Sequence, residues 1–88
     1  MSVHGEFKRV LAELVTFLDA TGVASCAAAA AELEACSAAA ADESLADAAE
    51  RALAVCAALD SSALTPPQRG EYRERAEHLG AICRALLP

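Results

Sequence analysis

Apolar residues recur at three- and four-residue steps along most of this 88-residue chain. The first run is the clearest: Val3, Phe7, Val10, Leu11, Leu14, Phe17 and Leu18 form one stripe at helical spacing. At about 100° per residue that stripe is about 120° wide, and it predicts a helix over residues 3–20. Thr21-Gly22 ends it, since Gly22 can take the left-handed conformation that closes a helix.

A second segment, 23–41, is nearly all alanine, with Val23, Cys26, Leu33 and Cys36 as its larger side chains. A third, 44–61, buries Leu45, Ala49, Ala52, Leu53, Cys56 and Leu59, and Ser44-Leu-Ala-Asp47 has the spacing of a capping box. The fourth, 65–87, opens with Thr65-Pro66-Pro67-Gln68: a hydroxyl at the N-cap, prolines in the first turn and an amide at the third position. Tyr72, Ala76, Leu79, Ile82, Cys83 and Leu86 make its inner face.

No Gly or Pro lies between Val23 and Leu64, so segments two and three could form one helix of about forty residues, about 60 Å long. Phase argues against it. Cys26 and Leu33 fall about 100–200° away from Leu45, Leu53 and Cys56 on a continuous helix. A break near Asp42–Ser44 is expected. Short connections then predict an all-α, antiparallel up-down-up-down four-helix bundle with an Ala-rich central hairpin, in one domain.

Composition changes how strongly that bundle is expected to hold. Twenty-four residues are Ala, only twenty are Leu, Ile, Val, Met or Phe, and Trp is absent. A buried Leu contributes about 1.5–3 kcal/mol and an Ala far less. A small domain with so thin a core gains from burial against a second copy, and a homodimer is the expectation.

The formal charge is −6. Residues 19–60 carry eight acids against Arg51 alone, so the middle of the chain holds the negative charge. Direct nucleic-acid binding needs a surplus of Lys and Arg on one face and is not expected. A protein partner, basic on its docking face, is. The N-terminal residues have neither a basic nor an apolar signal region, and no apolar run, Cys26–Ala31 included, approaches the length of a span. No membrane association and a cytoplasmic location are expected, and there the four cysteines would be reduced.

Candidate chemistry is sparse. Cys26, Cys36, Cys56 and Cys83 stand alone, without the close thiolate pairs of zinc or iron–sulfur sites or the C-x-x-x-C ladders of cysteine-lined copper-storage bundles. Each lies on or beside an apolar face, so the four could converge on a soft metal or act in redox chemistry; otherwise they fill the core. His78 lacks the Lys-Gly that follows the histidine of phosphotransfer bundles and reads as a surface residue. His4 lies too near the terminus to be ordered. No carboxylate pair has a nucleophile or oxyanion donor beside it, and no phosphate loop is present, so an enzyme and a cofactor are not expected.

The leading expectation is a non-enzymatic acidic helical interaction module (an adaptor, chaperone-like subunit or inhibitor) that self-associates. Its candidate contact residues are the Val3–Val10–Phe17 edge of the first helix, if exposed, and the acids Glu32, Asp47 and Glu50. The alternatives are the thiol-based metal or redox bundle on Cys26, Cys36, Cys56 and Cys83, and an acidic mimic of nucleic acid.

Overall fold

A computed structural model describes residues 2–40 and 44–87. Helix α1 spans Val3–Ala20, α2 Ala24–Ala39, α3 Leu45–Ala58 and α4 Pro66–Leu86. Each helix packs on its sequence neighbours and α1 packs on α4, so the four close into a ring, the bundle that the hydrophobic spacing predicts. The radius of gyration is 12.2 Å, against about 12 Å for a compact chain of this length.

Local chemistry sets most of the helix ends. Ser2 caps α1, its hydroxyl accepting from the Gly5 N–H at 3.0 Å. That cap corrects the expectation for His4, which sits inside the first turn of α1. At the other end Thr21 closes the helix and Gly22 follows with φ +72°. A Cβ built at Gly22 would meet nothing within 4 Å, so a side chain there is opposed by backbone conformation alone. Gly22→Ala is therefore expected to destabilise the bundle by about 1–2 kcal/mol, read as a drop of about 4–8 °C in melting temperature per kcal/mol.

At α4 the capping box forms in full: Gln68 N–H donates to Thr65 Oγ1 at 3.3 Å and Thr65 N–H to Gln68 Oε1 at 2.9 Å. At α3 it does not. Ser44 is the N-cap by backbone position, but its hydroxyl makes no capping hydrogen bond, and Asp47 contributes only negative charge in the first turn.

The expected 44–61 helix ends early, at Ala58. Asp60 accepts from the Ser62 N–H at 2.9 Å and draws Ser61–Ala63 into a single 3₁₀ turn. That turn delivers Leu64 to the core. The anticipated break near Asp42–Ser44 falls mostly on residues 41–43, outside the described residues. On either side of it α2 and α3 stand as two separate helices packed on each other.

Two kinds of core meet inside the ring. From α1 come Phe7, Val10, Leu11, Leu14, Val15 and Leu18, and from α4 Leu79, Ile82 and Cys83. On α3 the buried positions are only Ala48, Ala49 and Ala52, each with no exposed surface. Alanine on that face leaves α3 contributing small side chains to the core, beside the bulkier residues of α1 and α4.

Candidate functional site

The Val3–Val10–Phe17 edge does not form an exposed strip. α4 packs along this side of α1 and covers Val10, which is 2% exposed. Phe17 is half-buried, with the Arg75 guanidinium 5.9 Å from its ring centre. Arg75 is held there by Glu71 through an ion pair at 3.0 Å. Among the described residues Val3 is the sole exposed large hydrophobic side chain, at 48%.

The four thiols do not build a metal site either. Cys26, Cys36 and Cys83 are buried and Cys56 is half-buried, all as free thiols. Among the described residues no three Cys, His, Asp or Glu side chains come together to hold a metal ion. Facing inward therefore does not gather the thiols into a three-ligand group among the described residues, although Cys36, Cys56 and Cys83 lie near enough to act on one another's ionisation. Burial raises the Cys83 thiol to about 11, and neighbouring Cys56 adds to the rise. Burial also raises Cys56, opposed by its hydrogen bond with Tyr72 and reinforced by Cys36. The Tyr72 hydroxyl donates to the Cys56 carbonyl at 2.9 Å, and burial holds its own pKa well above the ordinary range.

These groups are neutral at pH 7, which makes the thiols weak nucleophiles and weak ligands. The shifts also set an alkaline limit on stability. A folded-state pKa above the unfolded value favours folding fully below the unfolded value, and that contribution is lost as pH rises through the folded one. For Cys83 the ordinary value is 9.0 and the folded value about 11. The melting temperature is thus expected to fall above about pH 9, and less steeply in Cys83→Ala. A fall equally steep in the variant would show that Cys83 contributes nothing to it.

What remains exposed and continuous is the outside of the α2–α3 hairpin. On α2, Ala24, Ala27, Ala28, Ala31, Ala35 and Ala38 are all exposed. At 100° per residue they fall in a ridge about 100° wide, opposite buried Cys26 and Leu33. Five of them, at 24, 28, 31, 35 and 38, follow the alternating four–three step of a helix-pairing seam. Glu32 and Glu34 stand exposed about 80° to either side of the Ala24 direction.

The ridge continues into a shallow groove toward α3, lined by Ser25, Ala28, Glu32, Val55, Ala58 and Leu59. Asp47 and Glu50 are exposed on α3, on the side away from buried Ala48, Ala49 and Ala52. The structure thus groups Glu32, Asp47 and Glu50 on the outside of one hairpin and leaves Val3, Val10 and Phe17 elsewhere. The alanine ridge beside those acids was not singled out from the sequence, although its seam spacing is present there. Alanine on both sides of α2 leaves that helix almost no amphipathic bias, so only Leu33, Cys26 and Cys36 reveal which side faces in.

Among the described residues no polar or charged side chain is buried, no buried side-chain polar atom lacks a partner, and no helix is long and apolar enough to cross a membrane. His78 is exposed. In class, then, the fold is an all-α four-helix bundle whose most continuous feature of surface is an acid-flanked alanine ridge. The chain matches no family model, no curated protein and no solved structure.

Proposed function

We propose that the protein is a non-enzymatic acidic helical interaction module that docks a partner protein on the outer face of its α2–α3 hairpin. The observation that carries this reading is the exposed ridge of Ala24, Ala28, Ala31, Ala35 and Ala38 between Glu32 and Glu34. Alanines at seam positions let two helix backbones approach closely, and flanking carboxylates select a partner helix with basic residues beside its own seam. None of the four thiols is exposed, so none stands on this face to supply a competing chemistry.

A benzophenone side chain placed at Ala31 tests it. On irradiation in a lysate of the source cells it is expected to give a discrete adduct that disappears when Glu32 and Glu34 are both changed to Arg. An adduct that survives the charge reversal, or none at all, contradicts the reading.

A further inference from the structure

A second surface of the bundle carries the opposite charge. Leu53 and Cys56 of α3 and Tyr72 of α4 line a groove between these helices, and Arg69, Arg73 and Arg84 stand around it. Three of the chain's seven basic residues thus share one groove of a chain whose formal charge is −6. At 100° per residue the three arginines fall within about 60° of one another on α4, whereas Glu71 and Glu74 lie on its other side. Glu77 is the sole carboxylate on the lining.

The arginines are only partly occupied within their own chain. One Arg69 nitrogen donates to the Leu64 carbonyl at 3.0 Å. Among the described residues Arg73 makes no hydrogen bond or ion pair. The Arg84 guanidinium folds back over buried Gly80, with atoms 3.2–3.6 Å from where a Cβ at residue 80 would stand. Glycine in mid-helix is disfavoured against alanine. Here it makes room for the guanidinium to lie along the helix, toward the groove.

We propose that this arginine-rimmed groove receives the acidic outer face of the α2–α3 hairpin from a second copy of the chain. The inference rests on the reading of that hairpin face as the docking surface and names its partner. Charge complementarity carries it. The groove offers a half-apolar floor and guanidinium groups that pair readily with carboxylates, and the hairpin offers a ridge without bulky side chains and with Glu32 and Glu34 beside it. Donor face and acceptor groove are different surfaces of one molecule, so the contact is head-to-tail and each added copy presents both surfaces again.

Sedimentation velocity of the 88-residue chain over a range of concentrations tests this with two charge-reversed variants. One is Glu32→Arg with Glu34→Arg; the other is Arg73→Glu with Arg84→Glu. All four positions are exposed, and far-UV circular dichroism checks that each variant stays helical. The wild-type sedimentation coefficient is expected to rise with concentration and each variant alone to remain at the monomer value. An equimolar mixture of the two is expected to regain association, because each restores the charge pair that the other lost.

A mixture that stays monomeric overturns the proposal. So does an arginine-reversed variant that associates as well as wild type, which would place the contact between two α2 ridges. A monomeric wild type whose Ala31 benzophenone captures a different protein overturns the proposal and leaves the docking reading standing.

Discussion

Truncating Phe7 to Ala is expected to remove about 3–5 kcal/mol of folding free energy, a large share of the roughly 5–15 kcal/mol that holds a domain of this kind together. Phe7 has no exposed surface and is the largest side chain in the core. Its loss combines the transfer of a phenyl ring back to water with a cavity that the surroundings cannot readily fill. Leu11, Leu14 and Leu18 are held on the same helix, and the buried positions of α3 are alanines, too short to fill a large void. Urea unfolding should show a much lower midpoint at an unchanged slope. A loss under about 1 kcal/mol would mean that the Phe7 cavity collapses and that the α1 core is far softer than its packing indicates.

Enlarging Ala49 to Leu is expected to destabilise by about 1–3 kcal/mol, although it adds apolar surface. Ala49 has no exposed surface, and with Ala48 and Ala52 it makes up the fully enclosed face of α3. Added methylene groups there must push a backbone outward or take a strained rotamer. Ala31→Leu is the matched contrast, made on an exposed position of α2. It should change stability by no more than about 0.5 kcal/mol. Thermal unfolding of the two variants side by side checks both halves: equal melting temperatures would mean that buried and exposed alanines do the same work in this bundle.

That contrast also marks what the amino-acid pattern could and could not reveal. Helices α1 and α4 were legible because bulky side chains repeat on one face and their ends carry Gly22 and the Thr65–Gln68 box. The end of α3 is not legible in the sequence, because a single contact, Asp60 to the Ser62 N–H, diverts a chain whose propensity still favours helix. The Ser44–Asp47 spacing suggested a cap that the Ser44 hydroxyl does not make.

For the site, Glu32, Asp47 and Glu50 were legible as exposed acids because charge seeks water. The burial of Val10 was not, since it depends on where α4 lies against α1. Whether four inward thiols meet is likewise a matter of distances between helices, which spacing along one helix does not encode. The alanine ridge was hidden for a different reason. Alanine satisfies both an inward and an outward position, so a seam facing solvent looks the same as one facing the core until the helix is placed.

In the proposed reading the outward alanines of α2 form a docking surface and are not merely tolerated there. Comparing benzophenone adduct yields at four exposed alanines, Ala31 and Ala35 on α2 against Ala12 on α1 and Ala81 on α4, tests this most directly. The account predicts discrete adducts from positions 31 and 35 and background yields from 12 and 81; equal yields at all four, or none on α2, would contradict it.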